Sequence, residues 1–192
     1  MRNLLKISFI CLLLTFANNA DAIIRAGGTV NLVTIENKNI TDMPVGSIGF
    51  YDVNLSIQSK RDSDWYFSFG YIYLVSKVPI TSTSSSLFSS NNPYFGISVF
   101  VVPDLMLFSA NFSPYTQGTY SETGTANEIW YGNSYNLKMS YRPYISEGIT
   151  LDFSFVFYGA AYGSKSTAAT VTTTETFVQS LVAPTIGIFF NF

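Results

Sequence analysis

Histidine does not occur in this chain, and its single cysteine, Cys11, lies in an N-terminal apolar run. The first absence removes the commonest general base and the commonest metal ligand. The second leaves the rest of the chain without a disulfide, a thiol nucleophile or a Cys/His metal cluster. Charge is scarce as well. Only 11% of the residues are charged, whereas a soluble domain carries about a quarter. Ten Lys and Arg against twelve Asp and Glu give a net charge of -2. No basic cluster is present, which argues against a surface for nucleic acid. After residue 22, no stretch approaches the roughly 20 apolar residues that a membrane helix needs. No G-x-S-x-G nucleophile motif occurs either.

What the chain does have is apolar and aromatic: 47% hydrophobic residues, with 17 Phe and 13 Tyr. High apolarity without a spanning helix leaves two structural solutions, a barrel in lipid or a soluble β protein with an aromatic core. Residues 1–22 have the three parts of a secretory signal. Arg2 and Lys6 make the positive start, Ile7 to Phe16 the apolar run, and Ala20-Asp21-Ala22 the small residues before a cut. The expected organisation is a signal peptide over 1–22 and one barrel domain over 23–192.

Beyond Ala22, eight stretches of β character are predicted at 24–35, 46–58, 64–75, 93–102, 104–115, 129–141, 148–160 and 177–192. Alternation is their main signature. Trp65, Phe67, Phe69, Tyr71, Tyr73 and Val75 share one face, against Tyr66, Ser68, Gly70, Ile72 and Leu74. Tyr131, Tyr135, Leu137, Met139 and Tyr141 oppose Gly132, Ser134, Asn136, Lys138 and Ser140. Leu151, Phe153, Phe155 and Phe157 oppose Thr150, Asp152, Ser154 and Tyr158. A greasy face opposite small, hydrogen-bonding side chains suits a barrel that faces lipid outside and pairs its polar groups inside. Closure is then required, because an open edge in lipid leaves N–H and C=O groups unpaired.

The connections alternate in length. Segments 36–45, 76–92, 116–128 and 161–176 are long and rich in Ser, Thr and Asn, while 59–63, 103 and 142–147 are short. Membrane barrels pair short periplasmic turns with long extracellular loops. Four long loops and three short turns place both chain ends on the periplasmic side of an outer membrane. The fold class is therefore all-β, an eight-stranded antiparallel up-and-down transmembrane β-barrel.

Four ionisable residues fall on the polar face at apparent membrane depth: Lys138, Asp152, Arg25 and Asp52. Buried charges are costly unless paired, so the expected pairs are Lys138 with Asp152 and Arg25 with Asp52, inside the barrel. They would either seal the lumen or line a narrow polar path. Trp65, Tyr66, Tyr94, Tyr115, Tyr120, Trp130, Tyr131, Tyr141, Tyr144 and Tyr162 lie near strand ends, the pattern of two aromatic girdles at the headgroup level.

On these features the sequence resembles the small eight-stranded bacterial outer-membrane barrels, the group with OmpA-like, OmpX/Ail-like and OmpW-like members. In that group the last strand ends in Phe with apolar residues at alternate positions before it, read by the barrel-assembly machinery. Here Phe192 is preceded by Phe190, Ile188, Ile186, Pro184 and Val182. The resemblance implies that Phe192, Phe190 and Ile188 form the assembly signal, and that the partners are outer-membrane lipids and, during biogenesis, the assembly machinery. Pro184 departs from the pattern and predicts a local break in the last strand. The lipid A deacylases and palmitoyltransferases of similar shape depend on a histidine that this chain lacks.

The functional expectation is non-enzymatic, with no cofactor, no metal and no nucleic acid: a structural or surface-interaction barrel displaying Ser/Thr/Asn-rich extracellular loops. The alternative is a narrow channel or lateral conduit for small solutes, which a cavity lined by Tyr158, Tyr66 and Phe100 would favour. Eight strands normally leave an interior filled by side chains.

Overall fold

The computed structural model describes residues 23–32, 47–58, 64–79, 85–122, 124, 127–167, 170–173 and 176–192. The expected signal segment 1–22, the connections 36–45 and 59–63, and residues 80–84 of the connection 76–92 lie outside them. Eight long strands carry the fold: β1 (Ile23–Asn31), β2 (Ser47–Gln58), β3 (Trp65–Pro79), β4 (Ser85–Val102), β5 (Met106–Glu122), β6 (Glu128–Tyr141), β8 (Ile149–Thr167) and β10 (Phe177–Asn191). Two short strands, β7 (Tyr144–Ser146) and β9 (Thr170–Thr173), pair with the two ends of β8. Each long strand pairs antiparallel with the next, and β10 pairs with both β8 and β1, so the ring is closed.

Alternation sets the two faces as the residue pattern requires. In β3, Trp65, Phe67, Tyr71 and Tyr73 are exposed on the outside, while Tyr66, Ser68, Ile72 and Leu74 are buried. In β8, Phe153, Phe155 and Phe157 point out and Asp152, Ser154, Val156 and Tyr158 point in. On the inner face, serines from successive strands bond across the wall: Ser56 with Ser68 at 3.1 Å, Ser68 with Ser98 at 2.8 Å, and Ser98 to Ser109 at 2.8 Å. Asn111 donates to Asn136 at 2.7 Å and continues that belt. Each of these hydroxyls and the Asn111 amide N–H thereby finds a neighbour rather than water, while Asn111 Oδ1 stays buried without a partner.

Four strands run past their expected bounds. The stretch 76–92 was expected to be a loop, but β3 reaches Pro79 and β4 begins at Ser85; likewise β5 continues to Glu122 and β8 to Thr167. The reason is a reversal of polarity along the barrel. At the loop end the inner face is apolar, with Ile48, Phe50, Leu74, Phe88, Trp130, Tyr162 and Leu181 buried together. The outer face there carries Ser89, Asn91, Gln117 and Thr119 at intermediate exposure. This part has the organisation of a soluble barrel stacked on a membrane one, so its strands have no greasy outer face and resemble loops.

Bulges occur where the two regimes meet. The β5 ladder gains one residue between Ser113 and Thr116 against β6. Ser113 and Thr116 both point inward, leaving Pro114 and Tyr115 exposed side by side on the outside. A bulge is where a proline without a ladder donor is tolerated. The break expected at Pro184 does not occur, since β10 keeps register with β8 from Phe177 to Phe190. The Pro184 carbonyl instead accepts from the Leu32 N–H at 3.0 Å, one residue past the end of β1. N–H and C=O of one strand residue face the same neighbour, so the missing donor falls where the β1 ladder has ended.

The girdle expectation holds for part of its set. Trp65, Tyr115, Tyr141 and Tyr144 are exposed, but Tyr66, Tyr94, Trp130 and Tyr162 are buried in the lumen. Parity decides this, because a one-residue offset on a strand reverses the face. The exposed rings Tyr51 and Tyr73, 6.2 Å apart, and the Tyr115 and Tyr131 pair, also 6.2 Å apart, ring the outside near the bulges. From Trp65 to Tyr73 the strand rises about 27 Å, or about 20 Å along a barrel axis at a tilt of roughly 40°, close to the apolar band of membrane barrels.

Candidate functional site

The barrel interior is where the chain concentrates its buried polar chemistry. Near mid-height, Lys138 on β6 lies 3.6 Å from Asp52 on β2 and 3.5 Å from Asp152 on β8. Its Nζ also meets Thr29 Oγ1 at 3.4 Å. In the ring, β2 and β6 are four strands apart in either direction. Lys138 therefore bridges opposite walls, and its long stem fills the lumen centre. Arg142 donates from Nε to Asp152 Oδ2 at 2.6 Å and lies over the Phe189 ring at 4.1 Å. Asp152 is fully buried; its second oxygen accepts from Ser154 at 2.6 Å. Asp52 accepts from Tyr94 at 2.6 Å, and Asn54 donates to that same hydroxyl at 2.9 Å. Two carboxylates and two cations make a neutral cluster whose members are held by hydrogen bonds. That is the condition under which buried charge is tolerable.

Of the four charged residues singled out in the sequence, the structure brings three together and leaves one apart. Arg25 is not beside Asp52. The β1–β2 register sets Arg25 opposite Ser56 and Asp52 opposite Thr29, four residues along the strand. Arg25 instead faces the turn end, 4.0 Å from Asp104. Lys138 and Asp152 meet, but not as cross-strand neighbours: Lys138 is opposite Val156, and the lysine stem spans the offset. Arg142 was missed. It flanks the turn rather than lying within the alternating stretch, yet it keeps the inward parity of Lys138 and Ser140, a signal that the sequence does carry.

Above the charges, Tyr158 on β8 donates to Asn92 on β4 at 2.9 Å, and Asn92 also donates to Ser90. Higher still, the aromatic cluster closes the lumen. Phe88 on β4 meets Phe177 on β10, the opposite wall, with ring centroids 5.5 Å apart. Tyr162 stacks on Phe177 at 5.3 Å, and Phe50 meets Tyr158 edge-on at 6.2 Å. Lys165 caps the cluster, 5.3 Å over Trp130 and 3.2 Å from Glu128. Tyr158 thus belongs to this cluster, whereas Tyr66 and Phe100 line a separate mouth cavity at the turn end. The three do not share a cavity. Among the described residues, no group of three or more His, Cys, Asp or Glu is arranged to hold a metal ion.

Ile188, Phe190 and Phe192 lie exposed along the outer face of β10 and its end. Phe192 itself exchanges backbone hydrogen bonds with Ile24, at 2.8 and 3.1 Å, at the seam where the last strand meets the first.

No family model and no curated protein matches the chain. Solved structures do. It is similar to Ail, the attachment invasion locus protein of Yersinia pestis, solved in complex with the heparin analogue sucrose octasulfate: TM-score 0.56, 9% identity, 90% of this chain and 98% of that one. Neisserial surface protein A is comparable, with TM-score 0.55, 10% identity and coverage of 89% and 97%. At such identities the likeness speaks for architecture alone. The chain has the fold of the small eight-stranded outer-membrane β-barrels.

Proposed function

We propose that this chain is an integral outer-membrane barrel with a sealed lumen, serving a structural or surface-interaction role rather than conduction. One observation carries the reading: side chains from opposite walls meet inside it at two levels, Lys138 with Asp52 and Phe88 with Phe177. A water path would have to break a neutral ion cluster and then an aromatic one. The outer surface supports membrane residence, because its apolar band is bounded by exposed Trp and Tyr and gives way to Ser, Asn, Gln and Thr only at the loop end.

On this reading the polar stack above the band is the extracellular part, the chain ends are periplasmic, and residues 1–22 are removed on export. Lipid is the partner of the apolar band. Phe192, Phe190 and Ile188 are the signal that the assembly machinery reads. The described strands then carry the Ser/Thr/Asn-rich loops on a polar extension of the barrel. Its described charges, Lys77, Lys165, Glu122 and Glu128, balance, and Lys165 already bridges Glu128. That surface favours a neutral polar partner over a polyanion such as the one bound by Ail.

Conductance across a planar bilayer tests the seal. After a heat-dependent gel shift has established folding, repeated insertions of residues 23–192 are expected to be electrically silent. Reproducible steps that change on replacing Lys138 or Asp152 would overturn this reading in favour of the narrow conduit.

A further inference from the structure

The turn-end mouth of the barrel holds a buried charge whose ion-pair partner stands on an exposed turn. Arg25 is only 6% exposed. Its guanidinium carbon lies 4.6 Å from the Tyr66 ring centre and 4.8 Å from that of Phe100. Its Nε is buried without a hydrogen-bond partner among the described residues. Its ion-pair partner among the described residues, Asp104, stands 4.0 Å off and is 70% exposed on its side chain. Asp104 is held on the β4–β5 turn at φ 57°, a conformation that few non-glycine residues adopt. A buried cation normally finds a hydrogen-bonded anion. The Lys138 cluster shows this chain doing so a short way above.

Around Arg25 opens a cavity of about 440 Å³, lined also by Gln58, Asp64, Pro103 and Asn191, within the size range of small-ligand sites. Asn191 Oδ1 is a second buried atom there without a partner, and it can accept an N–H. We propose that this mouth binds a free carboxylate, with the Arg25 guanidinium receiving its oxygens. The Tyr66 and Phe100 rings, 5.6 Å apart and nearly perpendicular, both pack against the guanidinium, and its outer N–H groups are left for a carboxylate acceptor. Asp64 and Asp104 at the rim repel a dianion, so a single carboxylate fits better than a phosphate. A turn of the Asn191 side chain would offer its unpaired Oδ1 to an amide N–H near that carboxylate, as at the C-terminus of a peptide. A small organic acid shares the carboxylate and lacks the amide.

Arginine-labelled protein gives a direct readout, because Arg25, Arg61 and Arg142 are the arginines beyond residue 22. The Nε–H signals of the barrel refolded in micelles would be followed during titration with acetate, N-acetylglycylglycine, its C-terminal carboxamide and inorganic phosphate. The Arg25 signal is expected to shift saturably with both carboxylates and not with the carboxamide. Tighter binding of N-acetylglycylglycine than of acetate would assign the site to a peptide end, and equal binding to a small acid. Arg25→Gln should weaken binding about tenfold or more, the usual weight of a charged hydrogen bond. If that variant does not fold, Asp104→Asn on the exposed turn still decides, since removing the competing anion should tighten binding severalfold. Equal response to carboxylate and carboxamide, phosphate binding as tight as carboxylate, or no shift with any probe would overturn the proposal and leave Arg25 as a structural closure.

Discussion

At the scale of single residues, the interior works by neutralising what it buries. Lys138 serves two carboxylates, whereas Arg142 serves only Asp152. Lys138→Met would therefore leave Asp52 buried with no cation, at a cost of about 3–5 kcal/mol, read as a lower midpoint in urea unfolding. Adding Asp52→Asn should restore much of that loss, because the remaining Arg142–Asp152 pair is neutral by itself. A double variant no more stable than Lys138→Met would show that lysine packing, and not charge balance, holds the lumen. Gly70 makes a second case. It sits opposite Tyr94 in the β3–β4 register, and a Cβ there would come within 2.3 Å of the Tyr94 ring and 2.5 Å of the Val53 carbonyl. The glycine lets that ring lie flat across the wall to reach Asp52. Gly70→Ala should cost about 1–3 kcal/mol by overpacking, checked in the same unfolding series, and Tyr94→Phe in that background should then cost less than it does alone. The sequence made the inward position of such residues legible through parity. It did not make their partners legible, since Asp52 and Arg25 lie on adjacent strands yet four residues out of register. Register depends on the turn, and the β1–β2 connection offered no sharp turn signal to count from.

At the scale of elements, one strand can obey two opposite rules. Along β4, Phe95 and Ile97 face outward in the lower half, while Phe88 faces inward in the upper half. The first rule is legible in the residue pattern and the second reads as loop, so the pattern locates the membrane halves of β4, β5 and β8 and not their upper bounds. The Ser- and Asn-rich composition was legible; its role as the wet outer face of a strand was not, because that needs the aromatic cluster assembled from distant segments. The two regimes predict opposite tolerances on one outer surface. Phe155, 58% exposed at mid-band, should lose about 2–4 kcal/mol on Phe155→Arg, as expected for a cation facing the hydrocarbon midplane. Thr119→Arg, on the same outer face above the Tyr115 and Tyr131 rings, should change stability by no more than about 0.5 kcal/mol. Unfolding from lipid vesicles measures both, and equal costs at the two positions would show that the band boundary is misplaced.

At the scale of the whole molecule, what remains to be assigned is direction. The closed ring, the two girdles and the inverted upper tier fix an axis, but an axis can be inserted either way. Ile23, Phe192 and the described short turns lie at one end, and the polar tier lies at the other. A chain delivered from the periplasm keeps its ends and short turns there, because carrying a polar tier across the bilayer happens once during assembly while the ends need never cross. The single cysteine falls within residues 1–22, so an exported barrel that has shed this segment is free of thiols and each introduced cysteine reports alone. Thr119→Cys marks the outer face of the upper tier, and Ser146→Cys marks β7 beside the turn end, where Ser146 is exposed. A membrane-impermeant maleimide added to intact cells should label Thr119→Cys and spare Ser146→Cys, and opening the outer membrane should bring the second up to the first. Labelling of Ser146→Cys alone would reverse the axis. The Arg25 mouth would then face the outside and the polar tier the periplasm, and the surface offered to partners would be the turn end with its carboxylate-seeking arginine.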